Sequence, residues 1–123
     1  MVAKIDDIRW KQRFSNYTHE LEQLEEFYGL GDKALEKIIH TLQKNLKMQK
    51  IILFGSRAKE IYGKGSDIDI SIVSEDLSLK ELNHLKVMLD DLMLPYKVDL
   101  IDYARISSND LKEHINKVGK VLS

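Results

Sequence analysis

The chain has no cysteine and a single proline, so disulfides, thiolate metal sites and cysteine nucleophiles are excluded, and a reducing compartment, the cytoplasm, is the expected home. No apolar run approaches the ~20 residues that a membrane span requires, and the N-terminus lacks the apolar core of a secretory signal. A dominant charge is lacking too. The formal net charge is −1, with no overall basic field to draw a nucleic-acid backbone, which disfavours a long nucleic acid as partner. What is present is 43% hydrophobic and 32% charged residues over 123 positions, the composition of one soluble globular domain with a real core.

One stretch organises the rest. The apolar run Ile51-Ile52-Leu53-Phe54 stops at Gly55-Ser56, and after ten residues Asp67 and Asp69 alternate with Ile68 and Ile70. The pattern predicts strand, small-residue turn, strand. Aspartate is depleted in strands, yet two sit here on one face, roughly 7 Å apart by the strand repeat. They repel one another unless a cation lies between them, and hard oxygen ligands suit Mg²⁺. Gly55 lacks a Cβ, so a phosphate can approach its backbone, and Ser56 can offer its hydroxyl and N–H at the start of the next helix. An ordinary turn beside a solvent-facing strand is the plain alternative. Four fixed residues at set spacing arise by chance in such a chain on the order of once in a thousand, given average residue usage.

The segment GSRAKEIYGKGSDIDI resembles the Gly-Ser, ten residues, Asp-x-Asp signature of the DNA polymerase β-like nucleotidyltransferase superfamily. The short length is similar to its minimal nucleotidyltransferase (MNT) branch, known for pairing with HEPN-domain proteins, commonly as the antitoxin of a toxin–antitoxin pair. The resemblance runs from about Leu30 to the C-terminus and includes KVDLIDYARIS. It implies that Asp67 and Asp69 hold two Mg²⁺ ions, that Asp99 binds the catalytic one and helps deprotonate the acceptor, and that Gly55 and Ser56 grip the β and γ phosphates of ATP. Alternation puts Asp99 on the face opposite Val98 and Leu100, with Asp102 as the fallback if the register is shifted. Arg57 either reaches phosphate or acceptor or is a solvated surface residue. Ser66 either contacts a phosphate or caps the loop before the strand. The family pattern commonly has Gly where this chain has Glu60, so either the backbone there is strained by about 1 kcal/mol or the helix runs on to Gly63.

Along the chain, Trp10, Phe14, Tyr17, Leu21, Leu24 and Tyr28 recur at steps of four and three without Gly or Pro, predicting a helix over residues 1–29 with one seam for a partner or a second copy. This helix also resembles the opening helix of HEPN-type proteins. Arg13 and His19 loosely mimic the HEPN ribonuclease motif but, at about 100° per residue, sit on different faces. Gly29-Leu30-Gly31 breaks the helix. Residues 30–123 then form the nucleotidyltransferase domain. Asp32 is the expected cap of a helix with Leu35, Ile38, Ile39, Leu42 and Leu46 on its apolar face. Ser78 to Glu81 reads as a capping box ahead of a helix that runs towards Pro95. A third strand covers Tyr96 to Ile101, and Ser107 or Ser108 caps the last helix.

The expected architecture is α/β (α+β): a small mixed sheet of about three strands, helices packed on one side, and an extra N-terminal helix. By resemblance the function is Mg²⁺-dependent transfer of AMP from ATP to a hydroxyl on a HEPN partner. The alternatives are a non-catalytic antitoxin that masks its partner through the aromatic seam, and a nucleotidyltransferase acting on a small-molecule hydroxyl.

Overall fold

In a computed structural model, residues 23–25, 27–59, 63 and 66–123 are described. The seam residues Trp10 to Leu21, Arg13, His19 and Glu60 lie outside them. The described elements are α1 (Ala34–Gln43), β1 (Met48–Phe54), the short α2 (Gly55–Ala58), β2 (Ile68–Ser74), α3 (Leu79–Asp90), β3 (Val98–Asp102), a 3₁₀ turn (Tyr103–Arg105), α4 (Asn109–Val118) and β4 (Lys120–Val121).

The strands form one mixed sheet in the order β3-β2-β1-β4. β1 and β2 pair antiparallel, with Ile51 opposite Ile72, Leu53 opposite Ile70 and Phe54 opposite Asp69. β2 and β3 pair in parallel, with Asp69 beside Asp99 and Ile70 beside Leu100. Period-2 alternation then sorts the side chains by face. Ile51, Leu53, Ile68, Ile70, Ile72 and Leu100 are buried on one face beneath Leu35, Ile38, Ile39 and Leu42 of α1 and Leu82, Leu85 and Leu89 of α3. Each such side chain contributes roughly 1.5–3 kcal/mol on burial, which makes this face the core.

The mixed sheet with helices over it is as expected, and two features extend it. A fourth strand forms at the C-terminus, where Lys120 and Val121 pair with Leu53 and Ile52. There the Leu122 N–H donates to the Ile51 carbonyl at 2.7 Å, and Leu122 is buried in the core. Two residues are too short a run to leave a periodic signal. α1 and α3 share one face, but α4 leans on the other, near Ile52 and Phe54. Gly119 is the C-cap of α4, and a Cβ there would come within 2.3 Å of the Ile115 carbonyl oxygen and 2.7 Å of Ile52 Cγ2, so the corner favours glycine.

Caps follow the sequence in two of the three helices for which one was expected. Ser78 and Glu81 make the full capping box of α3, and Ser108 accepts from the Leu111 N–H at 3.2 Å to start α4. Asp32 does not cap α1: Asp32 and Lys33 both take left-handed backbone, and Lys33 holds the cap position without a side-chain bond. Instead Glu25 Oε1 accepts from the Glu36 N–H at 2.8 Å. Glu25 is therefore buried against the helix end, where an N-terminal dipole favours a carboxylate. Leu46 is likewise not on the apolar face, since α1 stops at Gln43 and Leu46 is 100% exposed in the following turn.

Candidate active site

The edge of the sheet near Phe54 gathers the residues of the strand-turn-strand motif. β1 ends at Phe54, and the chain turns at Gly55 with φ +76°, a left-handed conformation that favours glycine. A Cβ on Gly55 would stand 2.1 Å from Asp69 Oδ2. The missing Cβ thus makes room first of all for the Asp69 carboxylate, which lies against the turn.

Register brings the second carboxylate in. Asp69 and Asp99 are direct partners on adjacent parallel strands, about 4.8 Å apart by sheet spacing, with side chains on the same face. The Asp69 carboxyl is pushed up to about 6, first by burial and then by the charges of Asp99 and Asp67 beside it, while Lys97 draws it down. Asp67 is half-buried just before β2. Asp99 is also 3.6 Å from Lys97 Nζ, in an exposed ion pair. The fallback Asp102 is excluded. It pairs with Ile72 on the core face, is 3% exposed, and is committed to the Ala104 N–H at 3.2 Å and to Arg105 at 3.5 Å.

A carboxylate pair with a third carboxylate near it is a concentration of negative charge that a cation would relieve. Among the described residues no three acidic, histidine or cysteine side chains close into a ready-made cage. Mg²⁺ is commonly held by one or two carboxylates and completes its shell with water and substrate phosphates, so the pair Asp69 and Asp99 is the donor set to compare with it. The donor set, hard oxygens on one face with an open side, fits such an ion.

Two motif residues have structural duties. Arg57 is not on a solvated surface: it is 1% exposed, and its guanidinium faces backbone carbonyls. Nε and Nη2 donate to the Ser66 carbonyl at 3.2 and 2.9 Å, and Nη1 donates to the Tyr28 and Gly29 carbonyls at 2.9 and 3.2 Å. The group also lies 5.0 Å over the Tyr96 ring. In this arrangement four of its hydrogen bonds go to protein carbonyls, so the guanidinium acts as a brace. Ser66 closes its loop, its hydroxyl accepting from the Gly63 N–H at 2.8 Å, which matches the capping alternative. Ser56 is half-buried in the first turn of α2.

Sequence reading missed His114, whose Nε2 accepts from the Gly55 N–H at 3.2 Å and whose ring meets Phe54 edge-on at 6.1 Å. The available signal was its place beside Leu111 and Ile115 on α4. It also missed Ser71, a fully buried hydroxyl on the Asp69 face with no partner.

The model of the family described as polymerase beta, nucleotidyltransferase, matches residues 36–123. The chain belongs to this nucleotidyltransferase family. It is 38% identical over 82 residues to a Haemophilus influenzae protein named probable protein adenylyltransferase MntA, covering 66% of this chain and 71% of that one. A Methanocaldococcus jannaschii relative, also carrying a protein adenylyltransferase name, is 39% identical over 86 residues, 69% of this chain and 87% of that one. Among solved structures, a chain of a toxin–antitoxin complex with AMP-PNP superposes with TM-score 0.62 at 33% identity, over 72% of this chain and 71% of that one. A chain of a tri-AMPylated Shewanella oneidensis HEPN toxin in complex with MNT antitoxin gives TM-score 0.58 at 30% identity, over 73% and 69%. As a nucleotidyltransferase the chain has its acidic pair at the sheet edge, beside the Gly55 turn. No helix among the described residues is long and apolar enough to cross a membrane.

Proposed function

We propose that this nucleotidyltransferase moves AMP from ATP to a hydroxyl of a partner protein, and that the partner is a HEPN-domain toxin for which the chain is the antitoxin. The observation that carries the reading is the placement of Asp69 beside Asp99 in register, against the Gly55 turn. In support, relatives carry protein adenylyltransferase names, and one structural neighbour is a complex whose HEPN toxin is tri-AMPylated.

On this reading Asp67, Asp69 and Asp99 would hold two Mg²⁺ ions, which when bound would neutralise the triphosphate and stabilise the departing pyrophosphate. Gly55 and Ser56 would border the β and γ phosphates. Asp99, the member of the pair on the edge strand, would bind the catalytic ion and help take the proton from the incoming hydroxyl as its oxygen bonds to the α-phosphorus and the bond to pyrophosphate breaks. Arg57 and Ser66 would act at one remove, by fixing the loop that delivers Asp67.

The test is ATP labelled at the α-phosphate, incubated with Mg²⁺, the full chain and a candidate HEPN partner. Label on the partner that vanishes with Asp99→Asn is the expected result. Inhibition of the toxin by Asp69→Asn and Asp99→Asn variants, with no label transferred by the parent, would leave masking by binding as the function and end the catalytic reading.

A further inference from the structure

The Gly55 turn is held from two directions. The Asp69 carboxylate occupies the space where a Cβ would be, and the Gly55 N–H donates to His114 Nε2 at 3.2 Å. His114 comes from α4, 59 residues later in the chain, and its half-buried ring is set by the edge-on contact with Phe54 at 6.1 Å. Accepting at Nε2 defines the tautomer as neutral imidazole with its proton on Nδ1. The first N–H of α2 belongs to the orphan donors at a helix start, so this acceptor satisfies a group that α2 itself leaves open. It also fixes the plane of the Phe54–Gly55 peptide, from which the Gly-Ser turn starts.

We propose that His114 is a positioning residue for the nucleotide: by accepting from Gly55 it holds the Gly-Ser turn in the orientation that receives the triphosphate tail. This rests on the reading of the site given above. It assigns His114 no contact with the reacting atoms and no proton transfer. Its acceptor nitrogen, rather than its bulk, does the work.

Three full-length variants separate acceptor from bulk. His114→Phe keeps a ring for Phe54 and loses the acceptor, His114→Gln keeps an acceptor oxygen, and His114→Ala loses both. Loss of one such hydrogen bond corresponds to about fivefold weaker Mg·ATP binding without acceptor protein, taking roughly 1 kcal/mol per bond. The expected pattern is that weakening in Phe and Ala and recovery towards the parent in Gln, with kcat changed less than KM when a partner is supplied. Amide exchange followed by NMR reads the same bond directly: the Gly55 N–H should be protected in the parent and Gln variant and exchange faster in the Phe variant, whether or not nucleotide is present. A Phe variant that binds Mg·ATP like the parent overturns the proposal, and so does a folded Gln variant that fails alongside Phe. A parent chain that binds no Mg·ATP removes the reading of the site and this role with it, whereas a binding parent indifferent to all three changes removes the role alone.

Discussion

Replacing Asp69 by Asn should raise the stability of the metal-free protein at neutral pH, and the size of the gain follows from the site. Asp69 is crowded by Asp99 and Asp67 and partly buried, and its carboxyl is pushed from 3.8 up to about 6. A raised carboxyl binds its proton more tightly in the fold than in the open chain, so the stability it contributes is fully present below pH ~3.8 and is lost as pH rises through ~6. Above that the fold carries the cost of a third crowded charge. At 1.36 kcal/mol per unit the full shift would be ~3 kcal/mol, but the site is open on one side and solvent screens it, so about 1 kcal/mol is the working figure. Asn keeps the shape, removes the charge and can donate to Asp99. In EDTA at pH 8, Asp69→Asn should therefore melt a few degrees above the parent, about 3–6 °C for a domain of this size. The gap should close as pH falls below 4. Adding Mg²⁺ should reverse the order, because binding to the native state stabilises only the chain that binds. A variant less stable than the parent at pH 8, or a gap independent of pH, would refute the account of the acidic pair as a charge held apart from its counter-ion.

Other changes test separate parts of the frame. Gly55→Ala combines left-handed backbone with a Cβ 2.1 Å from Asp69 Oδ2, so it should cost about 2 kcal/mol in a denaturant melt and abolish Mg·ATP binding; retention of both would sink the close-approach argument. Ser71→Ala removes a buried hydroxyl without a partner and should leave stability unchanged or raise it by about 1 kcal/mol, whereas a clear loss would mean the hydroxyl is satisfied after all. Gly119→Ala, wedged against the Ile115 carbonyl and Ile52, should lower the stability by about 1–3 kcal/mol in a denaturant melt, and a variant as stable as the parent would show that the α4–β4 corner can yield.

The parts legible in the sequence were those in which a local pattern and the fold agree. Ile51 to Phe54, the Gly55 turn and the Asp67-Ile68-Asp69-Ile70 alternation each carry their own periodicity, and the Ser78–Glu81 box its own cap. The choice between Asp99 and Asp102 needed the β2–β3 register, which alternation narrows but does not fix. What was not legible is long-range. Glu25 caps α1 across eleven positions, β4 exists only because Ile52 and Leu53 offer it an edge, and His114 reaches Gly55 from the far end of the chain. None of these contacts leaves a mark in its own neighbourhood of sequence, because the partner supplies the reason for the residue.

Arg57 shows how a residue inside the Gly-Ser to Asp-x-Asp motif can serve the candidate site through the backbone. Its guanidinium joins the carbonyl of Ser66, one residue before Asp67, to the carbonyls of Tyr28 and Gly29, where the preceding segment breaks. Tyr96, under its plane, accepts in turn from the Gly31 N–H at 2.8 Å. The loop that carries Asp67 into β2 is thus tied to the break at Gly29 through one planar fork. Lysine cannot reproduce this, since a point ammonium does not present paired N–H groups to Ser66 while reaching two carbonyls on the other side and stacking on a ring. Three carbonyls lose their donor in Arg57→Met, which at about 1 kcal/mol each implies a loss of about 3 kcal/mol, and Arg57→Lys should recover less than half of it. Urea midpoints measure the stability. Mg²⁺ titration of Arg57→Lys at a temperature where it remains folded measures whether Asp67 has shifted, with weaker binding expected although no motif carboxylate has been touched. Should Arg57→Lys match the parent in both, the guanidinium is not the tie and the reading of Arg57 as a brace fails.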